Sequence, residues 1–313
     1  MSTPWAQAWH DALYGADGLY RREEPHAHFS TSASPTLVEV LAEAVVALVR
    51  RERLTGLVDV GAGDGGLAAA VCAAAPDLAV ACVEVRPRPP GLRDEVRWVR
   101  SPGGASLPED LGPLRDLLVL AHEWLDNVPC TVAERVDGRL REVLVAPDGT
   151  ESLGPRLVAA DAAWASRWWP TGGRVEVGRA RDEAWADLLA RVERGVVVAV
   201  DYGHTAERRP EGGTLTGYRA GSVVAPVPDG TCDLTAHVAV DSLVHDRLLT
   251  QAELLTELGV TARAPDPRQA REAPAAYLRA LARRSAVAAL TDPHGLGGFS
   301  WVLARRPGPG AAD

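Results

Sequence analysis

Lysine is absent from this sequence, and arginine holds every basic position outside histidine. With abundant alanine, that usage marks a GC-rich genome and carries no chemistry. Cysteine is scarce: Cys72, Cys82, Cys130 and Cys232 lie far apart, with no C-x-x-C pair and no ligand-like spacing to histidine, which argues against a disulfide framework and a zinc site. A reducing cytoplasm is the expected setting. Basic charge is short, with 33 arginines against 42 acidic residues and a formal charge of −9, so binding of a phosphate backbone is disfavoured and nucleic acid is not an expected partner. Long apolar runs are missing too. The most apolar helical stretch, Thr36 to Val49, is interrupted by Glu39 and Glu43 and falls short of the ~20 residues of a spanning helix, so no membrane insertion is expected. The opening MSTPWAQAWHDALYG lacks the basic run and apolar core of a signal peptide, and no G-x-S-x-G elbow supports hydrolase chemistry.

What is present reads as a globular α/β chain. The hydrophobic set is 46% and charged residues are 24% of 313 residues, enough for two domains or one large domain with an insertion. From Leu57 onward, short apolar runs alternate with helical stretches. Leu57–Val60, Ala79–Val85, Val96–Val99, Leu117–Ala121 and Val196–Asp201 read as strands, and Gly66–Ala75 as a helix. Buried strands alternating with helices predict a doubly wound, Rossmann-like parallel sheet. The rhythm changes at Thr131–Val136 and Arg139–Val145, which flank Asp137-Gly138, a type I′ hairpin signal. Residues 131–175, ending in Trp164, Trp168 and Trp169, are therefore read as an inserted substrate-side region, the tryptophans packing in its core in preference to stacking on a ligand. Residues 1–56 form an N-terminal helical cap, 57–130 and 176–306 the Rossmann-like domain, and 307–313 a disordered tail. Leu249–Leu258 and Pro274–Leu290 read as helices and Phe299–Ala304 as a closing strand.

The densest signal is VDVGAGDGG at 58–66, where a strand turns into a helix. Glycines let a ligand approach the backbone, and the helix start presents free N–H groups. The spacing Gly61, Gly63, Gly66 also satisfies the dinucleotide pattern G-x-G-x-x-G. Asp59 and Glu84 separate the readings. Glu84, near the end of the next strand, suits ribose hydroxyls of either cofactor; a carboxylate at Asp59 repels a pyrophosphate and suits a cationic sulfonium. S-adenosylmethionine is favoured.

AHEWLDNVP at 121–129, VDYG at 200–203, GGTLTGYR at 212–219 and CDLTAHV at 232–238 follow. Together with HFSTS at 28–32 and GLGGF at 295–299, they resemble the motifs of the MidA-like class I methyltransferases across nearly the whole chain. The resemblance implies an S-adenosylmethionine site that includes Ala62, Val85, His122 and Thr31. It also implies a protein arginine acceptor, by relation to the mitochondrial complex I assembly methyltransferases. The sequence departs from the pattern at His122, where asparagine is common, and in RPRPPG at 86–91, which replaces a more helical segment.

Methyl transfer is an in-line displacement, so acceptor choice rests on the side chains around the methyl carbon. Glu123 and Asp126 are three apart and share a face if Glu123 opens a helical turn, which suits a guanidinium; equally, Glu123 could hold the donor and Asp126 cap a helix. Asp201 and Tyr202 sit where open α/β sheets bind ligands, and Asp233 and His237, four apart, could orient a histidine as base. The expected catalytic set is Glu123, Asp126 and His237, with Asp201, Tyr202 and Asp233 on the substrate. Two other functions compete: O- or N-methylation of a small molecule, and a non-catalytic assembly factor.

Overall fold

The computed structural model describes residues 1–22, 34 and 36–308. Its main sheet has seven strands, labelled here in chain order: β1 (Gly56–Val60), β2 (Ala79–Glu84), β3 (Val96–Arg100), β4 (Leu114–His122), β5 (Val192–Asp201), β6 (Arg247–Thr250) and β7 (Ser300–Pro307). Their order is β6-β7-β5-β4-β1-β2-β3. β1 to β5 run parallel, while β7 lies antiparallel between β5 and β6. Each parallel strand therefore ends at the same edge, where open α/β sheets bind ligands.

Both sheet faces are covered, so its strands are apolar on both sides. Along β5, Val196, Val198 and Val200 join one core while Val197 and Ala199 join the other; Leu118 and Leu120 part from Val119 in the same way on β4. The first core packs under α2 (Val38–Arg51) and α3 (Gly66–Ala74), through Leu41, Val45, Leu48, Leu67 and Val71. The second packs under α5 (Arg179–Ala190), through Trp185 and Leu188.

A five-stranded sheet leans on this body. The Asp137-Gly138 hairpin forms as expected, with φ of 49° and 72° joining Thr131–Val136 to Arg139–Val145. Strand Arg174–Val177 pairs with its first arm, so this sheet extends two residues beyond the predicted limit at 175. α4 (Ala159–Trp168) packs nearby, and Trp164 and Trp169 are buried, as core packing requires.

Four predicted bounds are corrected. The 1–56 cap is two things. Thr3–Pro4 pairs with the hairpin and α1 (Trp5–Tyr14) packs Trp5, Trp9 and Leu13 against Val132, Val143 and Leu234, whereas α2 belongs to the main body. The substrate side also recruits Thr216–Arg219, Ser222–Val224 and Asp233–Thr235, three short strands inside the span assigned to the Rossmann-like domain. Leu249–Leu258 is not one helix. β6 ends at Thr250, which caps α6 (Gln251–Glu257): its hydroxyl accepts from Glu253 N at 3.2 Å, and Glu253 Oε2 accepts from Thr250 N at 2.8 Å. This capping box was readable as T-x-x-E. Pro307, placed in the tail, instead pairs with Arg194 in β7. α7 (Pro274–Thr291) lies before β7, as predicted.

Candidate active site

The chain leaves β1 through a turn only glycine enters without strain: Gly61, Gly63 and Gly65 have φ of 75°, 60° and 77°. The left-handed third position is thus Gly65, one residue before the glycine of the dinucleotide spacing. Glu84, last in β2, pins this turn. Its Oε2 accepts from Gly63 N at 2.9 Å and its Oε1 from Arg86 N at 3.1 Å.

Gly61, Ala62, Gly63, Glu84, Val85, His122 and Glu123, all predicted, line one cavity of about 320 Å³ at the carboxyl edge of β1, β2 and β4. Sequence reading missed Tyr14, Tyr20, Ser101, Gly103, Gly104, Trp124 and Asn127, which also line it. Trp124 is held by an indole N–H to Gly104 O at 3.1 Å. A Cβ on Gly103 would meet Tyr14 Cδ1 at 2.7 Å, so glycine there admits the N-terminal aromatic wall. Ser-Pro-Gly-Gly immediately after β3, at the ligand edge, was the available signal. The Tyr14 and Tyr20 wall depends on an association that leaves no local pattern.

Asp59 does not line the cavity. It is buried in β1, and desolvation, then the charges of Glu84 and Asp64, push its carboxyl up to about 7. Burial also raises Glu84, against the pull of Arg86. The His122 imidazole is lowered by desolvation to about 4 and is neutral at physiological pH; its Nδ1 lies 3.4 Å from Glu123 Oε1. Thr31 lies outside the described residues.

The predicted Glu123–Asp126 face does not form. Glu123 has φ 51° and residues 123–126 lie in no helix, because the loop is held from outside. Glu123 N donates to Val200 O at 2.8 Å, and Asp201 accepts the N–H groups of Leu125 and Asp126 at 3.4 and 3.3 Å. Asp126 consequently turns from the cavity and accepts from Tyr202 Oη at 2.7 Å and Thr235 Oγ1 at 2.8 Å. Burial, with the charges of Asp126 and Glu123, raises Asp201 well above the carboxylate range. Asp201 and Tyr202 therefore support the loop from behind instead of lining the cavity.

The predicted Asp233–His237 pairing also fails. Asp233–Thr235 is a strand, so residues four apart do not share a face as on a helix. Asp233 accepts from Tyr20 and Asn127, while the exposed His237 ring packs edge-on to Tyr202, with centroids 5.1 Å apart.

A glycine turn at β1, a carboxylate closing β2 and a cavity over the carboxyl edge of a 3-2-1-4-5-7-6 sheet define the class: a nucleotide-type site on a methyltransferase fold. Its composition fits S-adenosylmethionine, with Glu84 at the ribose end, apolar Val85 and Trp124 walls, and carboxylates that attract a sulfonium cation. Residues 36–258 match the model of the S-adenosyl-L-methionine-dependent methyltransferase family, and the chain belongs to that family. S-adenosylmethionine is its methyl donor.

Two Burkholderia thailandensis crystal structures share the fold. One, bound to S-adenosyl-homocysteine, is 22% identical, covering 97% of this chain and 88% of its own, with a TM-score of 0.75. The other, a native structure, is 23% identical over 97% and 87%, with the same TM-score. The "Protein arginine methyltransferase NDUFAF7 homolog, mitochondrial" of Drosophila melanogaster is 32% identical over 133 residues, 39% of this chain and 30% of that protein. The chain thus spans less than a third of that relative's length in the match. No helix among the described residues is long and apolar enough to cross a membrane.

Proposed function

We propose that the protein methylates an arginine side chain of a protein substrate. Glu123 carries this reading. It lines the donor cavity, its side chain is 6% exposed, and its left-handed backbone is fixed by the bond to Val200. A buried carboxylate beside a neutral imidazole favours a cation over an anionic acceptor, and a guanidinium meets a carboxylate through paired N–H donors. The name of the Drosophila relative supports the same acceptor.

Bound S-adenosylmethionine supplies the methyl group: its carbon bonds to the target nitrogen while the C–S electron pair stays on sulfur. Glu123 holds the guanidinium and receives the proton that the nitrogen gives up. Trp124 and Tyr14 keep water from the line of transfer. The reaction belongs to the cytoplasm, a setting supported by four free, buried cysteines.

Incubating the protein with methyl-labelled S-adenosylmethionine and a cell extract, followed by mass spectrometry, tests the reading. Methylarginine in a protein is the expected product. Label confined to a small metabolite establishes O- or N-methylation of a small molecule instead. Donor binding with no transfer to any acceptor points to an assembly factor.

A further inference from the structure

We propose that His122 is an acceptor-positioning residue whose Nε2 lone pair receives a hydrogen bond from a guanidinium N–H, turning the target nitrogen toward the methyl carbon. The inference rests on the arginine reading of the same site. His122 is the last residue of β4 and lines the cavity, with its side chain 5% exposed. Its Nε2 is buried and has no hydrogen-bond partner among the described residues. Buried polar atoms are rarely left so, and on a residue that lines a ligand cavity the missing partner is one that a ligand supplies.

The tautomer decides what that atom offers. A neutral imidazole has one N–H and one lone pair. Nδ1 faces the Glu123 carboxylate, an acceptor, at 3.4 Å, so the ring proton sits on Nδ1. Nε2 therefore presents a lone pair. Glu123 and His122 thus place two acceptors on consecutive residues, and a planar guanidinium carries several N–H donors in a fixed fork. A carboxylate ligand offers no donor to this pair, and a hydroxyl satisfies only one of its members. The rival is the α-ammonium of the methyl donor, which has the same N–H chemistry.

Ring-15N histidine labelling of the full chain separates these cases, with His122→Asn identifying the His122 signals. At pH 7 the expected pattern is a neutral Nδ1–H ring. S-adenosylhomocysteine alone should leave the Nε2 resonance in place, and N-acetyl-arginine methylamide added to that complex should move it. An Nε2–H tautomer, a shift produced by S-adenosylhomocysteine alone, or no response to the arginine probe would each overturn the proposal.

Calorimetry gives a second readout. His122→Phe should bind S-adenosylhomocysteine within about twofold of the parent but lose about tenfold or more in affinity for the arginine probe, the scale of one hydrogen bond from a charged donor. His122→Asn, which keeps an acceptor oxygen, should recover most of that loss. Equal probe affinity in the parent and His122→Phe contradicts the assignment. These measurements are read on the protein alone, so they succeed or fail independently of whether any protein in an extract becomes methylated.

Discussion

Tyr20, just after the first helix, donates its phenolic proton at 2.7 Å to Asp233, a fully buried carboxyl 213 residues further along the chain. Asn127 Nδ2 reaches the same oxygen at 3.3 Å, and both Tyr20 and Asn127 line the donor cavity. Three distant segments therefore meet at one side chain. Tyr20→Phe keeps the ring and removes the donor, so unfolding in urea should show a loss of about 1–3 kcal/mol, with S-adenosylhomocysteine affinity also reduced. Unchanged stability and affinity would show that Asp233 does not organise this wall.

The glycine turn makes a sharper claim. A Cβ on Gly63 meets only Arg86 Nη2, at 4.0 Å, so a larger side chain projects into open cavity and not into packed protein. The left-handed φ of 60° costs a substituted residue about 1–2 kcal/mol. Gly63→Val should fold with a lowered melting temperature and fail to bind S-adenosylhomocysteine by calorimetry. Glu84→Ala removes the carboxylate that holds the Gly63 turn and is expected to meet the ribose hydroxyls, so donor affinity should fall by about 1–3 kcal/mol. Parent-like affinity in a folded Gly63→Val would remove the donor from this cavity.

The donor half of the site was legible because its constraints are local. Left-handed backbone at Gly61 and Gly63 demands glycine, and Glu84 must close the neighbouring strand, so both write themselves into a short window. The acceptor half was misread for the opposite reason. Glu123 and Asp126 read as one acceptor face and Asp201 as a substrate residue, yet Asp201 captures two loop N–H groups and turns Asp126 toward Tyr202 and Thr235. That competition is decided between β4, β5 and the Asp233–Thr235 strand, and no helical or alternating period reports it. The same holds for α1: its amphipathic pattern predicts a helix, while its place against Val132 and Leu234 depends on chain segments more than a hundred residues away.

Asp59 gives the fold a pH signature. Its folded value of about 7 stands above the ordinary carboxylate value of 3.8. Between these limits the folded chain holds a proton that the unfolded chain has released, so stability falls as pH rises from about 4 to about 7 and then levels. Asp59→Asn lacks this titration. Its melting temperature relative to the parent should therefore climb between pH 5 and pH 8, equivalent to about 1–4 kcal/mol. A difference that stays constant with pH would place the Asp59 titration elsewhere.

Glu123 and Asp126 separate chemistry from architecture. Asp126 is fully buried and accepts two hydroxyls, so Asp126→Ala leaves Tyr202 and Thr235 with only each other and should lower stability by about 1–3 kcal/mol. Asp126→Asn retains an acceptor oxygen and should cost less. Glu123 instead faces the cavity, and its backbone geometry is set by its own N–H on Val200. Glu123→Gln preserves shape and should change stability by less than about 1 kcal/mol, while S-adenosylhomocysteine affinity stays within about twofold. Its kcat for arginine methylation should fall by about a hundredfold or more, as when a positioned proton acceptor is lost. If Glu123→Gln instead weakens donor binding tenfold and leaves kcat intact, its carboxylate grips the donor, and the acceptor must be held by other residues.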